Sequence, residues 1–236
     1  MSTNTPRCVL VTGAAGALGS ALVKRFAEGG ARVAALVSPR GEGRSETIGG
    51  SPVLSIPLEV TSAEGWTAAL ATIEAELGPP TGAVLAAGAW QGGSPFHEAG
   101  DDVWTSMMTA NLETARRSLR AILPGMVARG HGSVVVVGSR AAERPFTGAG
   151  ASAYTASKAA VVALAQAIAE EVRGRGVRLN AVLPGTIDTP ANRRAMPDAD
   201  PSKWVSVDSL AGTIAFLLSD EARDISGAAL PIYGQS

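Results

Sequence analysis

Tyr154 and Lys158 stand four residues apart, in the run Tyr-Thr-Ala-Ser-Lys. On a helix, positions i and i+4 share one face a single turn apart. The spacing therefore sets an ammonium beside a phenol. A cation there favours the phenolate and is expected to lower the tyrosine's pKa. A phenol tuned toward neutrality can exchange a proton with a carbonyl or alcohol oxygen. Ser139, upstream, supplies a hydroxyl that could hold such an oxygen. Ser152 is a rival serine, read as an ordinary polar residue early in the helix.

A second constellation lies near the N-terminus, in Thr12-Gly13-Ala14-Ala15-Gly16-Ala17-Leu18-Gly19. It follows a short apolar run and opens an amphipathic one. Glycines at a strand-to-helix turn let the backbone approach a pyrophosphate, and the helix N-terminus offers free N–H groups and a favourable dipole. The pattern predicts a dinucleotide held by Gly13, Ala15, Gly16, Ala17 and Leu18. The second strand ends at Val37-Ser38-Pro39-Arg40, with no carboxylate for a ribose 2′-hydroxyl. Arg40 or Arg44, with Ser38, could instead meet a 2′-phosphate, which favours NADP(H) over NAD(H).

These residues need a scaffold. Apolar runs at Cys8–Thr12, Arg32–Val37, Val53–Pro57, Ala83–Ala87, Ser133–Gly138, Arg178–Leu183 and Ala228–Ile232 read as buried strands. Amphipathic stretches Ala17–Glu28, Ala63–Leu77, Asp102–Arg129, Ala151–Arg173 and Val207–Ser219 read as helices, with Asp102 and Ser206 as caps. The alternation predicts an α/β chain: one Rossmann domain over residues 1–236, with a doubly wound, seven-stranded parallel sheet. Gly41–Ser51 reads as a loop with at most a short helix. Thr186–Val205, long and rich in proline, reads as a substrate flap at about 186–205. Glu59, Gly88, Ser139 and Pro184-Gly185 all fall just beyond strands, the edge where open α/β sheets bind ligands.

The 236 residues carry a net charge of −1, so no basic field argues for nucleic acid or a membrane surface. Met1–Arg7 is polar, without a signal-peptide core, and no apolar run approaches membrane-spanning length. A cytoplasmic protein is expected. The single Cys8 excludes an intramolecular disulfide and reads as a core residue. No cluster has metal-ligand spacing, so no metal is expected. His97 and His131 read as solvated loop residues, and Trp90 as a pocket-mouth or rim residue.

Together these motifs resemble the short-chain dehydrogenase/reductase family along nearly the whole chain. Thr12–Gly19 resembles its Thr-Gly-x-x-x-(Ala/Gly)-x-Gly, and Glu59-Val60-Thr61 its Asp-Val-Thr at the adenine pocket, with Glu for Asp. Asn111 resembles its helix asparagine, and Ser139, Tyr154 and Lys158 its catalytic trio. Asn180–Thr189 resembles the stretch that holds the nicotinamide carboxamide. The resemblance implies an NAD(P)(H)-dependent oxidoreductase reducing a ketone or aldehyde, or oxidising the secondary alcohol. It implies Tyr154 as general acid or base and Lys158 as the group that lowers its pKa and bonds the nicotinamide ribose. Ser139 would hold the substrate oxygen, and Asn111 would support a proton relay through water. Glu59, Val60, Ala87, Gly88, Pro184, Gly185, Ile187 and Thr189 would contact the cofactor, with Tyr154 and Lys158. It also implies a homodimer or homotetramer built on the two long helices.

Two departures stand out. Ala86-Ala87-Gly88 replaces the family's Asn-Asn-Ala-Gly, and Ser139 lies fifteen residues before Tyr154 rather than the usual thirteen. Ala87–Gly93 and Asp188–Trp204 further resemble the quinonoid dihydropteridine reductase lineage. That leaves two alternatives: a pteridine-reductase-like enzyme, and a nucleotide-sensing protein that kept the fold without the chemistry.

Overall fold

Strand β1 (Cys8–Thr12) is buried along its whole length, and its side chains divide by alternation. Cys8 and Leu10 enter one core layer, Val9 and Val11 the other. This is the period-two pattern of a strand covered on both faces. Helix α1 (Ala17–Glu28) follows, then β2 (Arg32–Val37), β3 (Arg44–Ile48), β4 (Ser51–Pro57), α2 (Ala63–Glu76) and β5 (Gly82–Leu85). A long helical run comprises α3 (Asp101–Met107), a π-helical turn (Met108–Glu113) and α4 (Thr114–Arg129). Next come β6 (Gly132–Val137), the short α5 (Arg140–Glu143), α6 (Ser152–Glu171), β7 (Val177–Pro184), β8 (Ile187–Asp188), α7 (Pro190–Ala195), β9 (Val205–Ser206), α8 (Val207–Leu218) and β10 (Ala229–Ile232). This computed structural model describes residues 8–235; the polar N-terminal stretch Met1–Arg7 lies outside them.

The main sheet has the order β10-β7-β6-β5-β1-β2-β4-β3. Its first seven strands are mutually parallel, as the alternation predicted. The eighth is a difference. Gly41–Ser51, expected to be a loop, carries β3, which pairs antiparallel with β4 from Arg44↔Ser55 to Ile48↔Ser51. Gly49 and Gly50, both at positive φ, form the tight turn between them. The polar sequence Arg-Ser-Glu-Thr-Ile hides the strand, because an edge strand need bury only part of one face.

The sheet is doubly wound. One face is covered by α2, α4 and α6, with Trp66, Ile73, Leu119, Ile122 and Val161 in the core. The other is covered by α1 and α8, through Leu22, Phe26, Leu210 and Ile214. Each such side chain, fully buried, contributes about 1.5–3 kcal/mol. Cys8 is part of this core, and burial pushes its thiol up to about 11, so it stays protonated. Ser206 caps α8 as expected, accepting from Ser209 N–H at 3.1 Å. Asp102 does not cap α3. Gly100 holds that position, and Asp101 and Asp102 lie in the first turn, facing its positive pole. Among the described residues no helix is long and apolar enough to cross a membrane.

Candidate active site

Winding changes direction between β1 and β5, and the crevice opens at their carboxyl ends. Thr12 ends β1, buried, and its Oγ1 accepts from the Ala87 N–H at 3.1 Å. Gly13 turns the chain at φ +67°, and a Cβ there would lie 2.9 Å from the Ala87 nitrogen. The turn and the loop after β5 are thus in contact. Gly16 caps α1 without a side-chain bond, and the first turn holds no acidic residue. Residues 15–17 are exposed. Gly16 N–H turns back to Gly13 O at 3.0 Å, and the first turn of α1 that follows offers a positive helix pole, which fits the pyrophosphate of a dinucleotide.

Ser38, Arg40 and Glu59 gather at one corner of this edge, because Leu58 N–H bonds Val37 O at 3.0 Å and ties the ends of β2 and β4 together. Arg40 is exposed. Arg44, the other candidate, is drawn into β3 and pairs with Glu46 at 3.1 Å. Glu59 accepts from Thr61 Oγ1 at 2.7 Å and Thr61 N–H at 3.2 Å, and these bonds lower its pKa.

The loop Ala86-Ala87-Gly88 lacks the family's two amides, yet it is held from outside. Thr12 grips Ala87, and Asn111 Oδ1 accepts from Ala89 N–H at 2.9 Å. A Cβ on Gly88 would lie 2.7 Å from Asn111 Oδ1 and 3.3 Å from Lys158 Nζ. Gly88, Asn111 and Lys158 therefore converge. Asn111 is buried on the π-helical turn, and its Nδ2 donates to Ser157 Oγ at 3.0 Å. Ser157 in turn donates to the Tyr154 carbonyl at 2.7 Å. Sequence reading missed Ser157. Its signal was a serine within the Tyr-x-x-x-Lys span, one turn beyond Tyr154. The π turn itself left no trace in the sequence.

Tyr154, Ser157 and Lys158 lie on the first turns of α6. Ser139 lies two residues beyond β6 and caps α5, accepting from Ala141 N–H at 3.2 Å. Its side chain acts on the Tyr154 phenol, drawing the pKa of that group down. The extended spacing is taken up by α5 and the 3-10 turn Pro145–Gly148. Ser152 is exposed.

The electrostatics differ from the simple expectation for a phenol beside a cation. Burial raises the Tyr154 pKa, and the Ser139 side chain only partly opposes this. The Lys158 ammonium lies 6.0 Å from the Tyr154 ring centroid and donates to the Val137 carbonyl at 2.9 Å. It is itself buried, and desolvation lowers its pKa to about 8. The ring-to-ammonium gap, with that carbonyl engaging the charge, explains why the phenol is not lowered.

Pro184 and Gly185 close β7, and Gly185 N–H bonds Ile232 O at 2.9 Å. The long segment Thr186–Val205 begins here. Its two ends are joined by the small parallel pair β8–β9, with Ile187 opposite Val205. Thr189 caps α7, accepting from Asn192 N–H at 3.1 Å, and Asn192 Nδ2 donates to Ile187 O at 2.8 Å. The Thr189 hydroxyl keeps its own proton for donation. Val60 borders this edge after β4, half-buried.

The family model described as short chain dehydrogenase matches residues 7–200. The 2,5-dichloro-2,5-cyclohexadiene-1,4-diol dehydrogenase LinX of Sphingobium indicum is 34% identical over 242 residues, covering 97% of this chain and 95% of that protein. An acetoacetyl-CoA reductase of Synechocystis is 31% identical over 237 residues, with 97% and 95% covered. The solved carveol dehydrogenase of Mycobacterium avium, in complex with NAD, superposes with a TM-score of 0.86 at 23% identity, covering 99% of this chain and 98% of that one. By motif, topology and kinship, the chain belongs to the short-chain dehydrogenase/reductase family.

Proposed function

We propose that this protein is an NAD(P)(H)-dependent oxidoreductase that interconverts a carbonyl compound and its secondary alcohol, with Tyr154 as the proton-transfer group. The observation that carries the reading is the convergence of Gly88, Asn111 and Lys158, with Tyr154 one turn before Lys158 on α6, at the sheet edge that also bears the Gly13 turn. A dihydronicotinamide cofactor held here would supply the hydride. Everything else falls to the chain. Ser139 donates a hydrogen bond that orients the substrate oxygen. Tyr154, held protonated at neutral pH by burial, delivers its proton to that oxygen as negative charge develops. The resulting phenolate has the Lys158 ammonium one turn along, 6.0 Å from its ring centroid. Asn111 fixes the Gly88 loop and so the wall beside Lys158.

The cofactor is held by Gly13, Ala15, Gly16, Ala17 and Leu18 at the pyrophosphate, and by Glu59 and Val60 at the adenine. Ala87, Gly88, Tyr154, Lys158, Pro184, Gly185, Ile187 and Thr189 hold the nicotinamide half. Arg40, with Ser38, favours NADP(H), since no carboxylate stands at the end of β2. The protein works in the cytoplasm as a single domain with its flap at about 186–205. It forms a homodimer or homotetramer across α4 and α6, the latter presenting exposed Ala163 and Ala167 that permit close helix approach. Replacing Tyr154 with Phe should remove most turnover on a carbonyl panel while cofactor affinity stays near that of the unaltered protein. Undiminished turnover in that variant would refute the assignment.

A further inference from the structure

The geometry points to a neutral, bulky apolar carbonyl compound or alcohol, one bearing a ring system, as the substrate class of this site; this rests on the oxidoreductase reading above. Three connections border Ser139 and Tyr154 at the carboxyl edge of the sheet: residues 86–100 after β5, 138–151 after β6, and 185–204 after β7. They carry four of the seven large apolar side chains that stand exposed among the described residues. These are Trp90 at 65%, Phe96 at 67%, Phe146 at 79% and Met196 at 38%. Large apolar groups left in water cost free energy unless something covers them in use.

Their placement ties them to the chemistry. Trp90 lies two residues beyond Gly88, which meets Asn111 and Lys158. A Cβ on Gly92 would lie 3.0 Å from the Trp90 ring and 2.7 Å from Ala151 Cβ, three residues before Tyr154. Gly93 N–H bonds Gly150 O at 2.8 Å and fixes that proximity. Phe146 belongs to the 3-10 turn between Ser139 and Tyr154, which packs through Gly148 on Thr155 and Ala141. Met196 ends α7 on the flap.

Several charged groups on the same connections are engaged within the chain. Arg193 grips Asp188 with two bonds, at 2.6 and 2.8 Å. Glu143 accepts from the Tyr233 hydroxyl, and Arg144 lies 5.1 Å from the Tyr233 ring centroid. A charged substrate would have to compete with these pairs, whereas an apolar ring meets surface that has no partner.

The test is reduction kinetics of the full chain on 2-butanone, acetophenone, 2-acetylnaphthalene and 4-acetylbenzoate, with NADPH and NADH each supplied. kcat/KM should rise about tenfold from butanone to acetophenone and again to acetylnaphthalene, and fall about tenfold when the carboxylate is added. Trp90→Ala and Phe146→Ala should each lower the acetylnaphthalene-to-butanone ratio of kcat/KM about tenfold, through KM, with Trp90→Phe restoring most of it. A flat series, a preference for 4-acetylbenzoate, or an unaltered ratio in both alanine variants overturns the substrate class while leaving the oxidoreductase reading intact. Absence of turnover on every ketone sinks that reading and the substrate class with it.

Discussion

Asn111 and Ser157 are joined by a 3.0 Å hydrogen bond from amide to hydroxyl, and it links the loop after β5 to the helix that carries Tyr154. Both residues are buried, at 1% and 0% exposed. Ser157 Oγ accepts from Asn111 and donates to the Tyr154 carbonyl, while Asn111 Oδ1 receives the Ala89 N–H. One small network therefore fixes the distance between the Gly88 wall and the proton donor.

Removing the middle of that network should be costly in two ways. Ser157→Ala leaves the buried Asn111 amide only the weak Met107 Sδ acceptor at 3.9 Å, at about 1–3 kcal/mol. It also frees the Gly88 loop to shift, and small misplacements near reacting groups lower turnover about 100-fold. Denaturant unfolding should show a lower midpoint at unchanged slope, and steady-state kinetics a fall in kcat. A variant as stable and active as the parent would show that the network is idle.

Lys158 gives a stability test whose sign is fixed by burial. Its pKa is about 10.5 when solvated and about 8 in the fold, so the folded state binds its proton more weakly. Below pH 8 both states are protonated, and the fold bears the whole cost of the buried charge. Between about 8 and 10.5 the unfolded chain holds more protons, so this group makes stability rise with pH. At 1.36 kcal/mol per pH unit the full cost is on the order of 3 kcal/mol. Lys158→Met should therefore raise the melting temperature of the ligand-free protein at pH 7 while abolishing turnover. Calorimetry of both forms from pH 7 to 10 checks it: their melting temperatures should converge as pH rises.

The sequence made the parallel sheet and the crevice legible because strands buried on two faces read as unbroken apolar runs. β1 and β2 were placed to the residue, as was α1, opened by a glycine turn and closed by Gly29. β3 escaped because its edge position asks little of Arg44–Ile48. Tyr154, Lys158 and Ser139 were singled out by type and spacing and Asn111 by resemblance, and the fold brings the four to one edge. The partners that set their energetics were not found. The Val137 carbonyl that engages Lys158 is backbone, carries no side-chain signature, and reaches the site only through the parallel pairing of β6. The Tyr154 pKa likewise depends on burial, which a four-residue spacing does not encode.

Cofactor choice can be tested at the end of β2. Arg40 is exposed beside Ser38, and Arg44 is committed to Glu46. A guanidinium that meets a 2′-phosphate contributes about 1.5–3 kcal/mol through charged hydrogen bonds. Arg40→Ala should then raise the KM for NADPH about tenfold or more while moving that for NADH little. Equal effects on both dinucleotides would place Arg40 away from the 2′ position.

Gly13 carries the last prediction, and it separates backbone strain from ligand contact. Its φ of +67° costs an L-residue about 1–2 kcal/mol. The added methyl of Gly13→Ala would also crowd the Ala87 backbone at 2.9–3.0 Å, and backbone on both sides of the contact cannot rotate away as a side chain can. The Thr12–Ala87 bond at 3.1 Å lies at the same junction, so relief of the clash stretches the tie between β1 and the Gly88 loop. The variant should lose about 2–4 kcal/mol of stability in the absence of ligand. Its dinucleotide affinity should drop as well, because the pyrophosphate turn and the nicotinamide wall are displaced together. Ala15→Gly is the matched control: Ala15 is exposed, and its neighbour Gly16 sits at φ −73°, so the control should leave unfolding nearly unchanged. Thermal melts with and without dinucleotide distinguish the two effects. A Gly13→Ala protein that melts like the parent would mean that the turn tolerates a side chain, and that the contact between Gly13 and Ala87 does not set the crevice.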